Sequence, residues 1–298
     1  MKDTEKLSVL EDCSDRRKFL KRAGFAGLGV AGSTFLGGAA GGLLSAYPAA
    51  AQEAGVQNFA GVFGTLSATD TAVLNFALNL EYLEAEYYTK ATTGKTLEEI
   101  GMPINGVGKT GPTLGGQKIN FTEIDKDGDD PKLLAIAQEI AKDEQEHVRF
   151  LRYALGDKAI AKPEINLNAL GQVSNTSQFL LEARAFEDVG VSAYGGAAPL
   201  IQSKAVLGVA ARIALTEGEH TGNLRLLVAL YGVKTFPLDS QDIVPPPSGT
   251  EYFSNNYQGL TIVRTPSQVL AIVYGSSKPG TNHGGFFPQG VNGAITTV

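Results

Sequence analysis

Across residues 67–232, apolar and polar positions recur at the spacing of an α-helix, in four long runs separated by Gly-, Pro- and Asn-containing breaks. In the first run Leu74, Leu78, Glu81, Ala85 and Tyr88 share one face, and the pattern predicts a helix to about residue 91, capped by small polar residues at 67–70. The second predicted helix starts at Pro131, a favoured first-turn residue, and ends near Leu155 and Gly156. A polar linker, 166–174, leads to a third helix over about 175–197, closing at Gly195, Gly196 and Pro199. The fourth runs over about 204–231, with Gly232 as its C-cap. Beyond it, Pro245, Pro246 and Pro247 with several aromatics predict an extended wrap over 233–298, holding one short helix from Pro266, behind Thr265, to Gly275. The predicted fold class is all-α.

Two of these runs repeat one another. IAKDEQEHVRFLR (140–152) and IALTEGEHTGNLR (213–225) both carry Glu-x-x-His, as Glu144 with His147 and Glu217 with His220. A step of three turns a helix by about 300°, so each Glu shares a face with its His. The upstream runs repeat as well: LEYLEAEYYTKA (80–91) and FEDVGVSAYGGA (186–197) superpose with Glu81 on Glu187 and Tyr88 on Tyr194. A single Glu-x-x-His is most simply a solvated face. Here the chain has 3 histidines and two of them fall at matching positions of a repeat, which argues for one shared site. Glu81 is the lone carboxylate on an apolar and aromatic stripe, where burial without a partner is costly and a metal ion removes the penalty. Glu84, one turn on, competes for that role, whereas Glu86 points away. Glu182 is rotated by about 140° from Glu187 and is a weaker candidate, and Asp188 lies off the face. Glu146 and Glu219, two residues past the motif Glu, should face solvent.

One Glu from each of two helices, joined to Glu-x-x-His from each of two others, is a di-metal arrangement of helical bundles. On these residues the chain resembles the ferritin-like di-metal carboxylate proteins, and among them the exported, desiccation-related branch. The resemblance covers roughly 66–232, and the downstream PPPSG, RTPSQVLAIVYG and GGFFPQGVNG resemble that branch too. It implies a four-helix bundle over 67–232, built from a duplicated helical hairpin with a long loop in the first hairpin and an irregular C-terminal extension. It also implies two divalent metal ions, iron ahead of manganese, with Glu144 and Glu217 bridging, His147 and His220 each on one ion, and Glu81 and Glu187 terminal. Tyr88 and Tyr194 would stand beside the ligands as hydrogen-bond donors or electron sources, or else pack in the core. Four carboxylates and two neutral imidazoles balance two divalent ions, and mixed oxygen and nitrogen donors favour iron or manganese over structural zinc. The implied chemistry is of ferroxidase, peroxidase or catalase type, acting on dioxygen, peroxide or Fe(II). Manganese catalases are related, but their second half is usually described without the Glu-x-x-His found at Glu217. The alternative is a non-catalytic protein that sequesters metal or protects the envelope during drying. A homo-oligomer fits the resemblance, whereas the long loop and the tail argue against a 24-subunit cage.

The rest of the chain refines this picture. The first hairpin places 63 residues between Glu81 and Glu144, the second only 30 between Glu187 and Glu217. The insertion, 92–130, holds GKTGPTLGG, which lacks the ending of a phosphate loop, and DKDGDDP. The latter has Asp125, Asp127 and Asp129 at calcium-loop spacing, but Ile136 stands where a bidentate Glu is required, so turn chemistry is the simpler reading. The insertion should cover one end of the bundle and gate the site. Residues 1–51 resemble a twin-arginine export signal: Arg16 and Arg17, then Phe19, Leu20 and Lys21, a Gly/Ala-rich stretch and an Ala49-x-Ala51 cleavage site. Its glycines make a poor permanent membrane span. Residues 52–66 read as a connecting arm. Export by this route implies a periplasmic or extracellular protein and suits a metal loaded inside the cell. The only cysteine, Cys13, precedes the signal core, so no disulfide survives cleavage. The formal net charge of -6 argues against nucleic acid as partner. His283, in a Gly-rich stretch, reads as a surface loop residue.

Overall fold

The computed structural model describes residues 65–121 and 132–298. The export signal, nearly all of the arm, Pro131 and the DKDGDDP turn lie outside the described residues.

The chain is all-α in class. Among the described residues, four long helices, α1 (Ala68–Thr93), α2 (Lys132–Leu155), α3 (Thr176–Ala197) and α4 (Lys204–Leu230), precede a short fifth, α5 (Pro266–Val273). Their starts follow local chemistry. Ser67, Asn175, Ser203 and Thr265 sit in extended backbone and accept hydrogen bonds from N–H groups of the first turn, and at α5 Gln268 completes a capping box. Helix α1 packs mainly on α2 and α3 mainly on α4, with an α1–α3 contact joining the two hairpins. Among the described residues no helix is long and apolar enough to cross a membrane.

The insertion in the first hairpin is not a loose loop. Leu97, Met102, Ile104, Ile119 and Phe121 are buried in the main core. Residues Thr113–Leu114 (β1) pair in parallel with Ile165–Asn166 (β2), Thr113 opposite Ile165, tying the insertion to the crossover linker. The buried Lys162 fixes this junction, donating to Gly111 O and Thr113 Oγ1 at 2.9 Å and lying 3.5 Å from Glu86 Oε1. Glu86 in turn accepts from Leu97 N at 3.1 Å. It points away from the other α1 carboxylates as its phase predicts, but into a buried ion pair of its own.

Helix α3 ends at Ala197, just past Gly195 and Gly196, and passes into a 3-10 turn, Ala198–Leu200, that contains Pro199. The two glycines also permit close approach: a β-carbon on Gly196 would lie 1.9 Å from the Arg264 carbonyl oxygen, and one on Gly195 2.5 Å from Val263 Cγ1. The C-terminal wrap therefore lies directly on the α3 backbone. Three buried arginines staple it there. Arg184 Nε meets Asp188 at 2.7 Å and Arg184 Nη2 meets Asp242 at 2.7 Å. Arg225 pairs with Asp188 at 2.7 Å and donates to the carbonyls of Ile243, Glu251 and Tyr252. Arg264 pairs with Asp239 at 2.7 Å and reaches Ser192 Oγ at 3.1 Å. At the far end of the tail, Asn292 and Asn79 of α1 exchange two hydrogen bonds of 2.9 and 3.0 Å. Rings bind the layers together: Phe121 meets Phe179 edge-on at 5.0 Å, Tyr87 stacks on Phe179 at 5.5 Å, and Phe186 meets Phe286 of the tail at 5.0 Å. Each such pair adds about 0.5–1.5 kcal/mol beyond its buried area.

Candidate metal centre

The helical phase delivers acidic side chains to the interior from all four long helices. Helix α1 supplies Glu81, α2 Glu144 and His147, α3 Glu187, and α4 Glu217 and His220; the four carboxylates are 0% exposed and both imidazoles are buried. Glu81, Glu144, His147 and Glu217 offer four ligand atoms within 4.8 Å of one another, and so do Glu144, Glu187, Glu217 and His220. Glu144 and Glu217 belong to both quartets. His147 Nδ1 lies 3.2 Å from Glu81, 3.1 Å from Glu144 and 3.3 Å from Glu217. His220 Nδ1 lies 3.1 Å from Glu144 and 3.2 Å from Glu187. Each imidazole thus faces the acid of its own motif or hairpin together with an acid from the other hairpin.

Negative charge outweighs positive here. Burial pushes the Glu144 carboxyl up to about 7, against the pull of His147. Burial and then the charges of Glu144 and Glu187 raise Glu217 well above the carboxylate range. Glu81 goes the other way: burial would raise it, but His147 and its other hydrogen bonds bring it below its ordinary value. Burial depresses both imidazoles, yet the surrounding acids outweigh it and raise His147 well above normal. His220 rises too, through Asp143, Glu144 and Glu187. Buried Glu187 Oε1 and Glu217 Oε2 accept no hydrogen bond, and Glu144 Oε1 and Glu217 Oε1 meet only imidazole nitrogens, at 3.1 and 3.3 Å. Buried acceptors of this kind are costly unless something positive meets them. Hard oxygen donors with one imidazole in each quartet suit divalent iron or manganese, so the residues present fit a pair of such ions.

Both sequence-selected tyrosines border the cluster, each on the far hairpin's acid. Tyr194 donates to Glu81 Oε1. Tyr88 is fully buried beside Glu187 without a hydrogen bond of its own, and burial followed by the Glu187 charge pushes its phenol well up.

Glu84 does not displace Glu81 but joins it. It is buried, and burial followed by the charges of Glu217, Glu187, Glu144 and Glu81 raises it well above the carboxylate range. A β-carbon on Gly190 of α3 would lie 2.8 Å from Glu84 Oε1 and 2.9 Å from Glu217 Oε2, so only glycine leaves room for both acids. Asp143 was not selected from the sequence. Its carboxylate lies 3.3 Å from His220 Nε2 and fixes the outer nitrogen of that ring, as carboxylates commonly do behind metal-binding imidazoles. The repeat gave a signal for it only by contrast, since the matching position is Thr216. Glu182 is buried with Oε2 unpartnered and lifted to about 8 by burial, but it belongs to neither quartet. Asp188 turns to the arginines. Glu146, Glu219 and His283 are exposed.

Residues 69–230 match a protein family described as the ferritin-like domain. Among curated relatives, the ferritin-like catalase Nec2 of Nesocodon mauritianus is 26% identical over 279 residues, covering 76% of this chain and 84% of that one. The desiccation-related protein PCC13-62 of Craterostigma plantagineum is 26% identical over 179 residues, covering 54% of this chain and 53% of the relative. No solved structure matches this chain significantly.

Proposed function

This chain belongs to the ferritin-like domain family, and from that premise we propose that it is an exported protein holding two divalent metal ions that react with peroxide or dioxygen. The observation that carries the reading is the pair of overlapping quartets with Glu144 and Glu217 in common. Those two acids would bridge, Glu81 and Glu187 would each bind one ion from the side, and His147 and His220 would complete one ion each. Iron or manganese held this way supplies paired one-electron changes, enough to disproportionate peroxide or to reduce dioxygen. The Tyr194 hydroxyl fixes the orientation of Glu81 through its hydrogen bond. Asp143 does the same for the His220 ring. Glu84, outside both quartets, stands beside Glu217 in the space that Gly190 leaves open. The name of the Nesocodon relative, which aligns along most of its own length, favours peroxide disproportionation over ferroxidase chemistry.

The test is metal analysis of the purified chain followed by oxygen release from peroxide. Two ions per chain with oxygen evolution are expected, and a chain that never binds metal would end the reading. A second reading, metal sequestration in drying cells, draws on the name of the Craterostigma relative. Two bound ions without turnover of peroxide, dioxygen or Fe(II) would select it. Export is tested separately: replacing Arg16 and Arg17 by Lys should retain the protein in the cytoplasm, and unchanged fractionation would remove the twin-arginine route.

A further inference from the structure

Outside the quartets, a cavity lies between α1, α3 and the C-terminal wrap. It measures about 640 Å³, within the range of pockets that enclose small organic ligands. Leu83, Phe186, Val189 and Phe286 form apolar walls, and Glu84 with Gly190 lies at the inner end. The opposite end opens to solvent at the exposed Phe236, Gln268 and Ser277. The cavity therefore runs from the surface to the face of Glu84, and Glu217 stands on the other side of the missing Gly190 side chain.

Size and chemistry narrow what it accommodates. Peroxide and dioxygen are close in size to water, which fills about 30 Å³, so a mere duct for them needs far less room. The lining carries two charged side chains, Glu84 and Asp239. Asp239 is neutralised by Arg264 at 2.7 and 3.0 Å, leaving Glu84 as the inner polar anchor. An anion would approach a cluster rich in buried carboxylates, and a cation would lose its hydration against apolar walls. An uncharged ligand meets neither obstacle.

We propose that this cavity is a binding site for a small uncharged organic molecule with an apolar body and a hydroxyl group, seated with the hydroxyl at Glu84. Such a ligand lies next to the metal centre of the proposed function, but its binding is read independently of metal.

The probe is benzyl alcohol, titrated calorimetrically into the full chain as purified, with benzoate as the charged comparison. Saturable binding of one benzyl alcohol per chain is expected, with benzoate at least about tenfold weaker. Ala271, on the partly exposed face of α5, lines the wall away from the carboxylates, and Ala271→Phe should fill the space and weaken benzyl alcohol at least about tenfold while leaving metal content unchanged. Ser277→Trp at the exposed rim is the second blocking variant, used if the first unfolds. No saturable binding, equal binding of benzoate, or undiminished affinity in a folded blocking variant would overturn the proposal. Metal content measured on the same samples separates the two readings, since alcohol binding by a chain that takes up no metal would leave this site standing and remove the other.

Discussion

Glu187 and Asp188 are neighbours on α3, both fully buried, and they belong to opposite kinds of ionic cluster. Asp188 faces Arg184 and Arg225, each at 2.7 Å, in a group where Asp242 supplies the second acid. Two cations meet two anions, and backbone carbonyls take up the remaining guanidinium donors. That cluster is balanced in charge, with every acid paired to an arginine, although Asp188 Oδ1 itself accepts no hydrogen bond. Glu187 stands among acids, with Glu84, Glu144 and Glu217 close by, meets one imidazole, His220, at 3.2 Å, and leaves its Oε1 without a hydrogen bond. The fold sets a closed ionic staple and an open acid-rich site one residue apart. Buried charge of the first kind serves cohesion, and of the second kind serves a ligand.

Breaking the open cluster has the largest expected effect. Glu144→Ala removes an acid common to both quartets and should take metal stoichiometry from two to zero; full retention of both ions on metal analysis would strip Glu144 of the bridging role. Breaking the closed cluster should act on cohesion instead. Arg225→Ala leaves Asp188 one cation short and the Glu251 and Tyr252 carbonyls without their arginine donor, and should cost about 3–5 kcal/mol in urea unfolding. Metal content should stay at two below the new melting point, and an unaltered urea midpoint would mean the staple contributes nothing. A finer cut concerns the two halves of the open cluster. Asp143→Asn should weaken the ion beside His220 by about 10–100-fold and spare the one beside His147, where Thr216 takes the matching position. Two equal, unshifted steps in a metal titration would refute that asymmetry.

Acidity probes the same contrast with a gentler hand. Without metal, His147 and His220 keep their protons to above their usual range, and Glu84 and Glu217 are raised too. Metal must displace those protons, so affinity should rise with pH and fall on acidification. Calorimetry at neutral pH in buffers of different ionisation enthalpy should show net proton release, and uptake would contradict the charge balance. The smallest effect belongs to Glu146→Ala, which removes an exposed acid held by Arg149 and should leave metal content as it was. Loss of metal there would mean the helical phase has been misread.

The repeat made the open cluster legible, because a helix turns a three-residue spacing into a shared face without help from distant chain. Glu84 shares that face with Glu81, so periodicity alone had no means of choosing between them, and the interior holds both. The closed cluster was opaque for the opposite reason. Arg184 meets Asp242 from 58 residues away, and Glu86 meets Lys162 across the insertion; spacing within one helix says nothing about such partners. Gly195 and Gly196 were legible only in part: the helix does end at Ala197, just behind them, but nothing local showed that they also admit the tail at Val263 and Arg264.

The clasp between Asn79 and Asn292 joins positions 213 apart along the chain, whereas Glu81 meets His147 across 66 and Glu187 meets His220 across 33. Closing a longer stretch costs more chain entropy, and distant pairings form later. The expected order of assembly is that the hairpins gather first and the tail seals them last. Until it does, the acids are already grouped but still reachable from the side that the tail will cover. Metal offered to a refolding chain, before the tail has settled, is therefore expected to enter faster than metal offered to the folded protein.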